Sequence, residues 1–201
     1  MIRPLLLYCI FVLCSLPVFS QRSTPVSIAL INESTAIPYT RFITTPIHPG
    51  IQVGIASVLK QSTHTCVFVS LHIGYYYHKS FSQGIYLKPS LGFEYNHSSG
   101  IGIAGSLGLG YLHTFTTQEE YKLVDGAYVK RTDAGNARIM PSLALSLNYR
   151  LKPGEPASPN VFFTYESWIE YPFSPGFIPA MTHLTTQLGI QFYPFKTSSN
   201  E

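Results

Sequence analysis

Large apolar residues alternate with small or polar residues along most of this chain. Across residues 101–115 the odd positions are mainly Ile, Leu, Tyr and Phe, and the even positions are mainly Gly, Ala and Ser. A period of two residues is typical of a β-strand that presents two different faces. The same alternation recurs in residues 51–59, 66–77, 84–96, 138–150, 161–171 and 184–192. The pattern therefore predicts seven β-strands.

Two all-β architectures bury one face of such strands. A soluble β-sandwich, the runner-up here, turns its large apolar face inward and a charged face outward. A transmembrane β-barrel places the large residues against lipid and packs small and polar residues into a narrow lumen. The face opposite the large residues is mostly Gly, Ala, Ser, Asn and Gln with few charges, which is a poor solvent face. This composition favours an antiparallel transmembrane β-barrel.

The segment lengths and the aromatic residues also favour a barrel. Residues 84–96 alternate for longer than the about 9–11 residues that cross a bilayer, whereas soluble strands average about 5–6 residues. Aromatic residues cluster near segment ends at Tyr75, Tyr77, Tyr111 and Tyr171. Such girdles lie at the two membrane interfaces of outer-membrane barrels.

The connections predict which end of the barrel faces outside. The longest one, 116–137, is rich in charged residues, and long polar loops of such barrels face outside while short turns face the periplasm. Alternating strand directions then place residues 61–63, 96–100 and 152–159 in the periplasm and residues 78–82 and 172–182 outside.

Seven strands cannot leave both chain ends on one side of a membrane, so an eighth strand is predicted before residue 51. Residues 36–45 are assigned to it, with residues 46–50 as its outer turn. The predicted organisation is a signal peptide at 1–20, a periplasmic lead segment at 21–35, the barrel at 36–195 and a C-terminal tail at 196–201.

The start of the chain is typical of a cleaved secretory signal peptide. Arg3 precedes an almost unbroken apolar run over residues 5–19, and Ser20 is a small residue at the predicted cleavage point. The chain has 13 Lys+Arg and 10 Asp+Glu, and a net charge of +3 is too small a surplus to indicate a nucleic-acid partner. Export and a lipid-facing surface predict a protein of the outer membrane, surrounded by its lipid.

Four short motifs resemble those of a known family. They are Thr45-Pro46-Ile47-His48-Pro49-Gly50 with Gln52-Val53-Gly54, Gly74-Tyr75-Tyr76-Tyr77-His78-Lys79, Gly110-Tyr111-Leu112-His113, and Leu188-Gly189-Ile190-Gln191-Phe192. The family is that of small outer-membrane β-barrel proteins of bacteroidete-type Gram-negative bacteria. The resemblance implies an outer-membrane barrel and brings no established activity. Such barrels often end on an aromatic residue that the barrel-assembly machinery reads, whereas here residues 196–201 follow Phe195.

Charged residues on the predicted lumen face are the best candidates for a functional site. Alternation turns the following ionisable residues inward: Lys60, His72, Lys88, Glu94, Arg138, Arg150, Glu166, Glu170 and His183. Six of them form the candidate cluster: His72, Lys88, Glu94, Arg138, Glu166 and Glu170. Antiparallel pairing predicts that Lys88 lies near His72 and that Arg138 lies near Glu170. These groups either pair with each other and fill a small barrel, or line a path for a solute.

Two other chemistries find little support in the sequence. His72 and His78 are separated by about 20 Å along one strand, too far to chelate one ion, and no metal or cofactor is predicted. Some eight-stranded outer-membrane barrels are lipid A deacylases with a His-x-Ser pair and an acid. His97-Ser98-Ser99 has that spacing, and Glu94 is close by in the sequence. Residues 96–100 are typical of a turn, however, and no catalytic residue is predicted.

The function predicted from these observations is not enzymatic. We expect a structural or surface-interaction barrel whose outer loops, chiefly 116–137, contact an extracellular ligand that the sequence does not identify. A narrow channel or small-solute transporter is the alternative, and a lipid A-modifying hydrolase is a second alternative. Outer-membrane lipid and the barrel-assembly machinery are the expected partners.

Overall fold

The structure, a computed structural model, describes most of the region assigned to the barrel. The described residues are 24–38, 40, 44–79, 81–119, 121–124, 126–130, 133–155, 157–174 and 176–194. The predicted signal peptide at 1–20 and tail at 196–201 lie outside these ranges, as does Phe195. The described part of the chain contains no helix that is long and apolar enough to cross a membrane.

Eight of the ten described strands form a closed antiparallel barrel, which confirms the predicted architecture over the β-sandwich. The strands are β1 (Val26–Ser34), β2 (Pro49–Gln61), β3 (Thr65–Tyr77), β4 (Ser82–Asn96), β5 (Ile101–Thr116), β6 (Tyr121–Val124), β7 (Ala127–Lys130), β8 (Asn136–Arg150), β9 (Asn160–Glu170) and β10 (Met181–Phe192). The order around the barrel is β1-β10-β9-β8-β5-β4-β3-β2, and β6 and β7 form a separate hairpin.

The first strand of the barrel precedes the one predicted at 36–45, so that assignment and the lead segment at 21–35 are wrong. β1 (Val26–Ser34) pairs with both β10 and β2 and closes the ring. Its inner face carries Ile31 and Glu33 instead of small residues, so the alternation is weak in the sequence. The described residues of 36–45 form no strand, and Pro38 lacks the amide hydrogen that a strand ladder needs.

The connections lie at the two ends of the barrel in the grouping that strand alternation predicted. Residues 62–64, 97–100 and 151–159 connect strands at one end, here called the turn end, where both ends of the barrel sequence also lie. Residues 35–48, 78–81, 117–135 and 171–180 connect strands at the other, here called the loop end.

The outer wall of the barrel is an apolar belt bordered by tyrosines. Large aliphatic side chains such as Ile103, Leu107 and Leu145 point outward and are exposed. The exposed tyrosines near the loop end are Tyr75, Tyr77, Tyr111 and Tyr171, and those near the turn end are Tyr95 and Tyr149. Alternation thus predicted the direction of these side chains.

A bulge in β2 reverses the predicted direction of Lys60. The register shifts between Val58 and Lys60, so that Lys60 pairs with Val67. Opposite residues of an antiparallel pair share a face, and Val67 belongs to the outer face of β3. Lys60 is therefore exposed at the turn end and does not enter the lumen.

The middle of the barrel is filled by an apolar layer whose large rings lie over glycines. It consists of Ala29, Ile31, Tyr76, Tyr86, Leu112, Met140 and Trp168. A Cβ on Gly74 would lie 2.3 Å from the Tyr86 ring, and one on Gly84 would lie 2.7 Å from the Tyr76 ring. The small residues of the inner face therefore provide the space that these two tyrosines occupy.

Candidate functional site

Polar side chains inside the barrel form two groups, one on each side of the apolar layer. The group nearer the turn end, the Lys88 cluster, comprises Lys88, Glu166, Gln187, Gln52 and Tyr86. The group nearer the loop end, the His183 cluster, comprises Glu33, His183, Glu170 and Arg138.

The Lys88 cluster is centred on a buried ion pair. Lys88 Nζ contacts Glu166 Oε1, and both side chains are almost completely shielded from solvent. Glu166 Oε2 accepts a hydrogen bond of 2.7 Å from Gln187 Nε2, and Gln187 Oε1 accepts one of 3.0 Å from Gln52 Nε2. Tyr86 donates its hydroxyl hydrogen to Gln52 Oε1 at 2.8 Å. The chain of bonds satisfies the charges that β4 and β9 bring inside.

His72 and Glu94 line a small cavity on the turn-end side of the barrel, which Lys88 and Glu166 also border. The cavity has a volume of about 110 Å³, which is room for several water molecules. His72 Nε2 lies 2.9 Å from Ser70 Oγ, and Glu94 Oε1 accepts a hydrogen bond of 2.8 Å from Asn148 Nδ2. The remaining walls combine small hydroxyl and amide side chains with apolar ones.

The His183 cluster joins two carboxylates through one imidazole. His183 Nδ1 lies 2.7 Å from Glu33 Oε1, and His183 Nε2 lies 3.0 Å from Glu170 Oε2. Because both ring nitrogens face carboxylate oxygens, both carry hydrogens and the ring is an imidazolium cation. Arg138 Nε lies 2.7 Å from Glu170 Oε1. Two positive and two negative groups therefore balance inside the barrel.

Arg138 also links this cluster to the loop between β9 and β10. Its guanidinium donates hydrogen bonds to the carbonyl oxygens of Pro172 and Phe173. The Phe173 ring lies 5.4 Å from the guanidinium carbon and stacks on Phe81, with the two ring centroids 5.6 Å apart. The two phenylalanines cover the loop end on this side.

The structure divides the six residues of the predicted cluster between two places. His72, Lys88, Glu94 and Glu166 all border the cavity, where His72 is opposite Lys88 in the register and Lys88 meets Glu166. Arg138 meets Glu170 in the His183 cluster, as antiparallel pairing predicted.

Sequence reasoning missed the centre of the His183 cluster. Glu33 was missed because the strand that carries it was taken for a lead segment. His183 was placed on the polar face of its strand, but its two acidic partners come from strands far away in sequence. The only local signal was the inward position of Glu33 in the weak alternation of Val26–Ser34.

Two further side chains, His48 and His78, converge on Glu33 at the loop end. One ligand atom from each of Glu33, His48 and His78 lies within 4.8 Å of the others. The His48 and His78 rings stack with their centroids 3.5 Å apart. Burial and the adjacent His48 lower the pKa of His78, so its neutral form is favoured.

His97 and Ser99, the pair considered for a hydrolase, contact each other in an exposed turn. His97 Nδ1 lies 3.0 Å from Ser99 Oγ and accepts a hydrogen bond of 3.2 Å from the Ser99 amide. Gly100 follows with a φ of 91°, a conformation that glycine adopts readily. Glu94, the acid considered with this pair, bonds instead to Asn148 inside the barrel.

The hairpin of β6 and β7 extends from the loop end and exposes apolar side chains. Its base is held by Asp133, which accepts hydrogen bonds from the Thr116 amide at 2.6 Å and the Gly135 amide at 2.8 Å. The large exposed residues of the hairpin are Tyr121, Leu123, Tyr128 and Val129, with Tyr128 78% exposed.

Solved structures of outer-membrane proteins are similar to this chain. Ail, the attachment invasion locus protein of Yersinia pestis, is 12% identical, with 84% of this chain and 96% of that chain covered and a TM-score of 0.50. Neisserial surface protein A is 10% identical, with 85% and 95% covered and a TM-score of 0.47. The outer membrane enzyme PagL is 11% identical, with 84% and 98% covered and a TM-score of 0.47.

At 12% identity the similarity to Ail shows the fold alone, which in this chain is an eight-stranded closed antiparallel β-barrel. No protein-family model and no curated protein matches the chain. The expected relationship to barrels of bacteroidete-type bacteria stays a prediction.

Proposed function

We propose that this protein is a non-enzymatic outer-membrane β-barrel with a closed lumen that binds a surface partner through the β6–β7 hairpin. The observation that carries the proposal is the hairpin itself, which pairs with no strand of the barrel and exposes large apolar side chains on both of its faces. The barrel-assembly machinery would insert it, and a cleaved signal peptide at 1–20 would direct its export.

The apolar belt supports a membrane location. Soluble monomers rarely expose contiguous apolar patches larger than a few hundred Å², and here each of the eight barrel strands exposes large apolar side chains on its outer face. The tyrosines at both borders of the belt fit the interfacial girdles of outer-membrane barrels. A closed ring leaves no unpaired strand edge in the lipid.

The filled interior supports a structural barrel over a channel. The Lys88 cluster, the apolar layer and the His183 cluster occupy successive levels of the lumen. Trp168 and Leu112 in the apolar layer are 1% and 0% exposed, so the layer has no space for a hydrated solute. The cavity at the turn end stops below this layer.

The hairpin supports a partner-binding role because its exposed residues do not serve the barrel's own core. Aromatic residues are enriched where proteins bind each other, and Tyr121 and Tyr128 are exposed. The hydrogen bonds of Asp133 fix the base of the hairpin, which lowers the entropy cost of binding.

Location and orientation are tested in intact cells. The mature protein should fractionate with the outer membrane and migrate faster in electrophoresis before heating than after it. Trypsin added to intact cells should cut after Lys130 and leave the barrel strands protected. Recovery as a soluble periplasmic monomer, or cutting only after the outer membrane is permeabilised, would contradict the proposal.

Partner binding is tested by capture from cell envelopes with matched variants. Deletion of residues 119–131 keeps Asp133 and should leave barrel assembly intact. The deletion and the double substitution Tyr128→Ser/Val129→Ser should both lose the same bound proteins. Phe177→Ser, the control, changes an equally exposed aromatic residue outside the hairpin (82% exposed) and should keep them. Identical capture by all variants would exclude the hairpin as the binding surface.

Conductance separates the proposal from the channel alternative. The wild-type barrel in a planar bilayer should give no steady unitary current. Lys88→Ala/Glu166→Ala should also give none, because the apolar layer remains closed. A steady wild-type current whose ion selectivity changes in this variant would establish the channel instead.

Lipid A composition separates the proposal from the hydrolase alternative. Cells that express the wild type and cells that express Ser99→Ala should have identical lipid A mass spectra. An acyl chain missing only in the wild type would show that the His97–Ser99 pair is catalytic.

A further inference from the structure

We propose that Glu33, His48 and His78 form a binding site for a divalent transition-metal ion of the zinc class at the loop end of the barrel. The site goes beyond the partner-binding role proposed above, and it rests on side-chain geometry that does not involve the hairpin.

The three side chains come from three separate parts of the barrel. Glu33 lies near the end of β1, His48 precedes β2 and His78 follows β3. One ligand atom from each lies within 4.8 Å of the other two. Around a tetrahedral zinc ion with bonds of about 2.0–2.2 Å, ligand atoms lie roughly 3.3–3.5 Å apart. The two imidazoles, which now stack on each other, would turn apart so that both lone pairs point at one ion, and all three ligand atoms would then share one coordination shell.

Two atoms of these residues that are able to bind a metal are buried and have no hydrogen-bond partner. They are Glu33 Oε2 and His78 Nδ1, and Glu33 as a whole is only 1% exposed. Leaving a buried polar atom unsatisfied costs about 1–3 kcal/mol, and more for a charged group. A metal ion between the carboxylate oxygen and the imidazole nitrogen would satisfy both atoms together.

His48 is oriented for ligation by bonds to β1. Its Nδ1 lies 2.8 Å from the carbonyl oxygen of Glu33, so Nδ1 carries the hydrogen and Nε2 keeps the lone pair that binds a metal. Its amide donates to Asn32 Oδ1 at 2.8 Å, and its carbonyl oxygen accepts from the Glu33 amide at 3.0 Å. These contacts hold His48 beside Glu33 before any ion binds.

The Glu33 side chain is also held in place, through its other carboxylate oxygen, Oε1. Glu33 Oε1 faces the buried imidazolium of His183, which is fixed in turn by Glu170. The metal would therefore bind an oriented carboxylate with outer-shell support, as is typical of metal centres in proteins. The backbone of His78 is also fixed, since its amide donates to the Ser82 carbonyl oxygen at 2.9 Å.

The donor set selects the class of ion. Two imidazoles and one carboxylate suit zinc and neighbouring first-row metals, whereas calcium and magnesium prefer sites made of oxygen atoms. Three protein ligands leave a fourth position for water or for a donor from another molecule. The site lies at the loop end, where the half-buried His78 borders solvent.

Zinc titration of the mature, tag-free protein in detergent micelles tests the site. Metal-free protein should bind one zinc ion per chain in calorimetry, and zinc should raise its unfolding temperature. His78→Ala is the main variant because His78 lies outside the strands. The affinity of this variant for zinc should be at least tenfold lower than that of the wild type. His48→Ala should show the same loss. The control, His64→Ala, removes an exposed imidazole at the turn end and should bind zinc like the wild type.

Cobalt absorption and a second cation give independent readouts. Cobalt(II) should produce the visible bands of a low-symmetry nitrogen and oxygen site in the wild type and in His64→Ala, and none in His78→Ala. Calcium at the same concentration should not raise the unfolding temperature. The proposal is overturned if the wild type does not bind zinc saturably, or if folded His78→Ala, identified by its heat-modifiable migration, binds zinc with unchanged affinity.

Discussion

The imidazole of His183 lies parallel to the indole of Trp168, with the ring centroids 4.0 Å apart and the planes inclined by 6°. Because both His183 nitrogens face carboxylates, a positively charged ring rests on the face of the indole, an arrangement with favourable cation–π energy. Trp168 Nε1 donates to Thr185 Oγ1 at 2.9 Å. The pair thus joins the apolar layer to the His183 cluster.

His183→Gln should strongly destabilise the barrel. The substitution removes the cation between Glu33 and Glu170, and leaving buried charges without their partner costs about 3–5 kcal/mol. Trp168 is the only tryptophan of the chain, so its fluorescence reports urea unfolding of the refolded barrel. The exposed substitution His64→Gln should leave the unfolding midpoint unchanged. An equal midpoint for His183→Gln and the wild type would show that the imidazole is not charged in the folded state.

The Lys88–Glu166 pair should show strong coupling between its two members. Lys88→Met and Glu166→Leu should each cost about 3–5 kcal/mol, because each leaves one charge buried alone. The double variant should be more stable than either single variant, since apolar residues of similar size often replace a buried pair without loss. Urea unfolding followed by Trp168 fluorescence measures all three. Additive losses would mean that the two side chains do not interact in the folded barrel.

Gly74→Ala should destabilise the barrel by about 1–3 kcal/mol through overpacking. The added Cβ would lie 2.3 Å from the Tyr86 ring, which its hydroxyl bond to Gln52 holds in place. Gly154→Ala is the matched control because a Cβ there meets no atom within 4 Å. The difference between the two unfolding midpoints is the measurement. A midpoint for Gly74→Ala as high as that of the control would show that Tyr86 can move away freely.

In the hairpin, the pKa of Glu119 should depend on Lys130. Hydrogen bonds from Lys130 and Tyr121 lower the pKa of the Glu119 carboxyl. Because the pKa of Glu119 is lower in the folded than in the unfolded state, its carboxylate stabilises the hairpin at pH values above the unfolded-state pKa. This stabilisation is lost as the pH falls through the folded-state pKa of Glu119. Lys130→Gln should raise the Glu119 pKa, as measured by an NMR titration of the side-chain carboxyl carbon.

The control for this titration is Lys152→Gln, which breaks the exposed pair with Glu155 at the turn end. It should leave the Glu119 titration unchanged. Added salt should reduce the difference between Lys130→Gln and the wild type, because the pair is solvent-exposed and screened. An unchanged Glu119 titration in Lys130→Gln would mean that the pair does not form in solution.

Much of the fold could be predicted because the side-chain alternation of a strand is a local property. Each residue of 101–115 faces the opposite side from its neighbour whatever the rest of the chain does, so the outer belt and the inward positions of Lys88 and Glu166 follow directly. Alternation fails where local geometry changes, as at the bulge before Lys60, or where the inner face is itself large, as at Ile31 in β1.

By itself, the sequence determined the barrel architecture and, for most strands, which side chains face outward and which face the lumen. It also determined which residues are opposite each other on adjacent strands, such as Lys88 and His72. Only the tertiary structure decided which distant polar residues meet inside. Glu33 reaches His183, 150 residues away, because β1 pairs with β10 and closes the ring. His48 and His78 meet Glu33 because they flank the ends of β2 and β3 that lie beside the end of β1. Such contacts depend on ring closure and loop conformation, which no periodicity in the sequence encodes.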